Sequence, residues 1–242
     1  MESSTQLAEG VKEKTFFARW FGVYFSPRET FESIKRKPDW LIPLVAWALI
    51  SAFSIVIISP VLKTVQINTI AEKRGISEEE AEELLQSTAG VQKIAVPLSS
   101  FISVFVVTLI VAGIFFMVGN YFMGGDTSYK KVLSVYCYTT FSVGFVGAII
   151  KVPLILAKKS MAIQTSLAVI LSEDARETFL YRLFSHFDIF TIWTLILMVI
   201  GMSVIYNFST KKSVTFVGSL WVLWIVISLL LKGIFGGRAF MG

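Results

Sequence analysis

Five stretches of this chain are apolar for longer than any soluble core element requires, and they decide what it can fold into. Leu41–Leu62, Ile94–Phe122, Val132–Ala157, Ile189–Phe208 and Ser213–Leu231 hold a single charge between them, Lys151. At 1.5 Å per helical residue each crosses about 30 Å of hydrocarbon. An open sheet cannot satisfy its backbone in lipid, so these runs predict helices. The fold class expected is all-α: a polytopic membrane protein with five transmembrane helices plus N-terminal amphipathic interfacial helices. Its organisation reads as a cytoplasmic segment over 1–40, a five-span domain over 41–235 and a short tail over 236–242.

Composition agrees and excludes much else. The apolar set makes up 55% of the residues and charged side chains only 16%, against about 25% charged in soluble domains. One His and one Cys exclude a disulfide scaffold and a Cys/His zinc site. Cys137, in an apolar run, reads as a small buried hydrophobe. The net charge is +5, but the bases flank apolar runs, so the expected partners are membrane lipids with anionic headgroups and not nucleic acid. No cofactor is implied. The first apolar run is too long for a cleavable signal sequence.

Orientation follows from the short loops. Five spans put the termini on opposite sides, with eleven Lys and Arg on the N-terminal side against ten on the other. That side holds the tight pairs Lys130–Lys131 and Lys211–Lys212, and Lys35-Arg36-Lys37 before the first span. Under the positive-inside rule the N-terminus is cytoplasmic and the C-terminus outside.

The segment before the first span carries the densest aromatic pattern. Phe16, Trp20 and Tyr24 step by four, and Phe17, Phe21 and Phe25 step beside them. One aromatic stripe of this size suits a helix in the headgroup region, with Lys14 and Arg19 adding attraction to anionic lipid. A helix packed on the protein's own spans has the same periodicity, which leaves both readings open. Ser26-Pro27-Arg28-Glu29 predicts a second helix with a capping box, stopped by Pro38, and Trp40 stands where an interfacial aromatic anchor belongs.

The loops over 63–93 and 158–188 have equal length and begin their helices alike, which suggests an internal duplication. In the first, the span is expected to continue to Arg74 and end at Gly75, and Ser77-Glu78-Glu79-Glu80 to cap a helix reaching about Ser87. The acids Glu78 to Glu83 read as a solvated helix face, with a cation patch as the alternative. In the second, Ser172-Glu173-Asp174 is expected to open an amphipathic helix with Phe179, Leu180, Leu183 and Phe184 on its apolar face.

No phosphate-binding loop, zinc-protease helix or nucleophile elbow occurs, and Ser185-His186-Phe187-Asp188 cannot form a triad from adjacent residues. The chain therefore reads as not an enzyme. Lys151 is a candidate intramembrane polar site, or a lysine that snorkels to the surface without an obligatory partner. Asn120, Thr139, Thr140 and Asn207 are expected to bond between helices, and Gly144 with Ala148 to admit a close neighbour.

Two segments carry a family likeness. Phe25-Ser26-Pro27-Arg28-Glu29-Thr30-Phe31 with Ile34, then Lys37-Pro38-Asp39-Trp40 and Pro43, resembles the opening of the prokaryotic branch of the Yip1 domain family. Gly124-Gly125-Asp126-Thr127-Ser128-Tyr129-Lys130-Lys131-Val132-Leu133, with Tyr136 and Pro153, resembles its middle. The resemblance implies five spans, a cytoplasmic N-terminus and no catalytic residues. Eukaryotic members are linked to vesicle traffic, Rab GTPases and membrane shaping, and carry an Asp-Leu-Tyr-Gly-Pro-like motif where this chain has Ser-Pro-Arg-Glu-Thr-Phe. The function expected is a non-enzymatic membrane protein that organises or shapes the bilayer or scaffolds partners, as a homo-oligomer or beside another membrane protein. The alternative is a small-solute or ion transporter acting as an oligomer.

Overall fold

The computed structural model describes residues 14–172, 175 and 178–236. In chain order the helices are α1 (Phe16–Phe25), α2 (Pro27–Arg36), α3 (Leu41–Arg74), α4 (Glu78–Met117), α5 (Tyr129–Lys158), α6 (Phe179–Ser185), α7 (Ile189–Tyr206) and α8 (Thr210–Gly236). A π-helical turn, Val118–Phe122, prolongs α4, and a 3-10 turn spans Leu167–Ile170. No strand occurs among the described residues. Five helices are long and apolar enough to cross a membrane: α3, α4 with its π turn, α5, α7 and α8. Large apolar side chains such as Phe53, Ile94 and Ile110 face outward from them, as lipid requires and water would penalise.

The centre of the bundle is α5, which packs against α3, α4, α7 and both N-terminal helices. Small residues set these approaches. A Cβ on Gly144 would lie 2.5 Å from the Trp47 ring of α3, so the close neighbour expected at this position is α3. A Cβ on Gly201 of α7 would meet Val135 of α5 at 2.3 Å. Tyr206 inserts its ring against Gly119 and Gly125, where a Cβ would lie 2.4 Å and 2.3 Å from the ring, respectively. The same turn needs a left-handed residue at Gly124, whose φ is 62°. The two glycines of the Gly-Gly-Asp segment thus do separate work, one conformational and one steric. Gly125→Val is expected to cost about 1–3 kcal/mol through overpacking, read as a lower midpoint in mixed-detergent unfolding.

The first outer segment differs in part from its sequence reading. α3 does run to Arg74, and Gly75 ends it at φ 63°. Ser77 and Glu80 form the reciprocal capping box. The helix they open does not stop near Ser87, however, but continues unbroken to Met117. Nothing at 87–90 forces an end: the Ser87 and Thr88 hydroxyls donate back to the carbonyls of Leu84 and Leu85 within the same helix. The result is a helical hairpin of α3 and α4. With 34 residues, α3 is roughly 50 Å long and outreaches the hydrocarbon.

The second outer segment has another form. The short α6 is capped by Thr178, whose hydroxyl accepts from the Tyr181 amide at 3.2 Å. Glu173 and Asp174, expected to open this helix, lie outside the described residues. Leu167–Ile170 forms a 3-10 turn, and Ser166 makes an isolated antiparallel bridge with Asp188. Equal loop length therefore does not reflect equal structure, and the suggested duplication does not extend to these segments.

Candidate membrane-surface site

Thr15 starts α1 by accepting a hydrogen bond from the Ala18 amide at 3.3 Å. The ten residues that follow contain one charge, Arg19. Successive residues of a helix point about 100° apart, so aromatic rows offset by one residue face different directions. The structure separates them. Phe16, Trp20 and Tyr24 pack inward: the Phe16 ring centroid lies 5.7 Å from Phe141, Trp20 lies 5.0 Å from Phe141 and 4.8 Å from Phe145, and Tyr24 lies 5.8 Å from Trp193. Trp20 donates to the Tyr24 hydroxyl at 3.1 Å, which in turn donates to the Ser142 carbonyl at 2.7 Å. Burial raises the Tyr24 pKa, keeping this phenol a neutral donor.

Phe17, Phe21 and Phe25 point the other way, 63%, 54% and 85% exposed. The single stripe read from the sequence is thus two faces, one against α5 and α7 and one largely exposed, whose ring contacts among the described residues are with its own helix. Trp40, expected at the interface, is half-buried and packs at the edge of the cluster formed by Leu44, Ala112, Leu133 and Cys137.

Arg19 corrects the expectation of a lipid-facing base. It is 3% exposed and forms an ion pair with Asp39. It also donates to the carbonyls of Lys37 at 2.9 Å and Ser33 at 3.3 Å, at the C-terminal end of α2. A guanidinium supplies the donors for all three acceptors at once. The other Asp39 oxygen accepts from the fully buried Tyr138 of α5 at 2.9 Å. Arg19 and Asp39 together therefore join α1, the end of α2 and α5 directly ahead of the first span.

The α1–α2 crossing is equally tight. A Cβ on Gly22 would lie 2.2 Å from the Thr30 hydroxyl. Ser26 occupies the expected N-cap position of α2 and Pro27 follows, but the Ser26 side chain makes no capping bond. Lys35 donates to the Val204 carbonyl at 2.8 Å and to Asn207 Oδ1 at 2.6 Å. A cation at a helix C-terminus is favourable, and here it fixes α2 to the end of α7.

The remaining candidates fall elsewhere. Lys151 is not a lone snorkelling base, since its Nζ lies 3.4 Å from Asp188 Oδ2 and 4.8 Å from the Phe190 ring centroid. Asp188 caps α7 through the Phe190 amide at 2.9 Å and also bonds the Thr165 hydroxyl. Lys151→Met is expected to cost only about 1 kcal/mol, because the pair is partly exposed, read in the same unfolding assay. Of the acids at the start of α4, Glu80 serves the cap and Glu82 pairs with Lys63 at 2.5 Å. Among the described residues no group of three or more acids, His or Cys is placed to hold a metal ion. Asn207 bonds to another helix as expected, whereas Asn120 bonds the Thr127 carbonyl across its own turn and Thr140 bonds back within α5. The Thr139 hydroxyl is buried without a hydrogen-bond partner among the described residues.

Five apolar spans around a central α5, with an N-terminal helical hairpin locked onto that bundle, define an all-α integral membrane protein. The family model described as the Yip1 domain matches residues 21–236, and the chain belongs to the Yip1 domain family. No curated protein and no solved structure gives a significant match.

Proposed function

We propose that this protein is a non-enzymatic organiser of the bilayer, and that the outward face of α1 is the part that acts on lipid. The observation that carries the reading is the row Phe17, Phe21 and Phe25, three exposed rings on a helix whose opposite face is fixed by aromatic contacts and the Arg19–Asp39 pair. A wedge must be held rigidly to displace lipid, and the α1–α2 hairpin is held at both ends, by Arg19 and by Lys35. Burying an apolar ring stabilises by roughly 1.5–3 kcal/mol, so even partial insertion of three rings anchors the face.

The termini take the positive-inside orientation in this reading, with the N-terminal hairpin and the pairs Lys130–Lys131 and Lys211–Lys212 against the cytoplasmic leaflet. Cysteine labelling checks this in a Cys137→Ser background. A membrane-impermeant reagent applied from outside is expected to reach Ser77→Cys and not Ser209→Cys, and the opposite pattern would reverse the orientation. The proposed activity is tested by reconstituting the full chain into vesicles and imaging their shape. Narrowed or tubulated vesicles are expected. Unchanged vesicles, with solute flux in the same preparation, would favour the transporter alternative.

A further inference from the structure

A cavity of about 760 Å³ opens between α3 and α4, within the roughly 300–1,000 Å³ typical of small-molecule sites. Its lower wall is apolar, with Val56 and Pro60 on α3 facing Val96 and Pro97 on α4, and its mouth carries Lys63 and Lys93. The change from apolar to polar coincides with the ends of two spans: the first apolar run stops at Leu62 before Lys63, and the second begins at Ile94 after Lys93. The cavity thus straddles the hydrocarbon boundary of the leaflet opposite the α1 side.

Charge and backbone both select an occupant. Lys63 is neutralised by Glu82 at 2.5 Å. Lys93 is exposed and has no ion pair among the described residues, which leaves one uncompensated positive charge at the mouth. Pro60 and Pro97 lie inside helices and lack an amide hydrogen, so the carbonyls one turn earlier, at Val56 and Lys93, lose their helical donor. Both of these residues line the same cavity. The site therefore offers an apolar slot and, at its mouth, a cation and a backbone acceptor short of a donor.

We infer that this cavity binds an anionic phospholipid whose headgroup carries hydroxyls: one acyl chain lies between Val56 and Val96, the phosphate meets Lys93, and a headgroup hydroxyl donates to the freed Lys93 carbonyl at the mouth. The site is independent of the aromatic face of α1 and stands whether or not that face shapes membranes.

The test is photocrosslinking of the full chain in phosphatidylcholine nanodiscs containing a minor fraction of photoactivatable phosphatidylglycerol, with labelled peptides mapped. Label is expected on α3 and α4 around 56–66 and 89–97. Lys93→Glu is expected to weaken labelling at least fivefold, since losing one base near an anionic surface costs roughly 1 kcal/mol and the new carboxylate adds repulsion. Lys93→Arg retains labelling, and Lys73→Glu, outside the cavity, leaves it unchanged. Val96→Trp fills the slot and abolishes it. Soluble glycerol phosphate does not compete, since it lacks the chain. Equal labelling in wild type and Lys93→Glu, or label confined to other helices, would overturn the proposal, and competition by glycerol phosphate would make this a site for the free anion instead of a lipid.

Discussion

Asp39→Ala is expected to free the α1–α2 hairpin from the bundle at a cost of about 3 kcal/mol, the lower end of the range for breaking a buried ion pair. The low end applies because Asp39 is one-third exposed while Arg19 is almost fully buried. The variant strands the guanidinium of Arg19 and removes the acceptor of the Tyr138 hydroxyl. Arg19→Met should cost less, since it replaces a buried charge by a side chain of similar bulk and leaves Asp39 with Tyr138 and water. Amide hydrogen exchange over residues 16–36 reads the difference: fast exchange in Asp39→Ala, intermediate in Arg19→Met. Equal protection in Asp39→Ala and wild type would show that the pair does not hold the hairpin.

The second large effect separates the two faces of α1. Replacing Phe17, Phe21 and Phe25 together by Ser removes three exposed rings whose ring contacts are with neighbours on α1, so the fold should survive with unchanged exchange protection in α5 and α7. What is lost is apolar area offered to lipid, roughly 3–4 kcal/mol if each ring is half inserted. Vesicle remodelling should fall to that of protein-free lipid. Replacing Phe16, Trp20 and Tyr24 by Ser has the reverse pattern, because those rings pack on Phe141, Phe145 and Trp193 and their loss undocks the helix. Remodelling that persists in the outward triple variant would remove α1 from the mechanism.

The spans were legible because hydrocarbon thickness and backbone satisfaction leave few alternatives, so apolar length alone fixes helix number and order. Local chemistry was legible for the same kind of reason: Gly75 and Ser77 act through their own backbone neighbours and need no knowledge of the tertiary fold. The candidate site was legible only in outline. Two rows stepping by four on one short helix look like a single stripe in a linear text, and only docking against α5 decides which row faces inward. Arg19 looked like a surface base because its partner Asp39 is twenty residues away and their common neighbour Tyr138 ninety-nine residues beyond that. A lone charge in an otherwise apolar helix was the available signal, since such a charge needs a partner. Lys151 and Asp188, thirty-seven residues apart, are joined only by the return of the chain through the second outer segment, which no local pattern announces. The continuity of α4 was missed because a well-formed capping box marks where a helix begins and says nothing of where it ends.

In the proposed arrangement one row of α1 lies in lipid while the other lies on protein. Nitroxide labels at positions 17, 21 and 25, introduced singly into Cys137→Ser protein in anionic nanodiscs, test it through collision with oxygen, which partitions into lipid, and with a water-soluble nickel chelate. All three labels are expected to favour oxygen, with a label at exposed Arg28 as the comparison. Nickel-accessible labels at 17, 21 and 25, equal to position 28, would place the outward face in water and rule out its insertion into lipid.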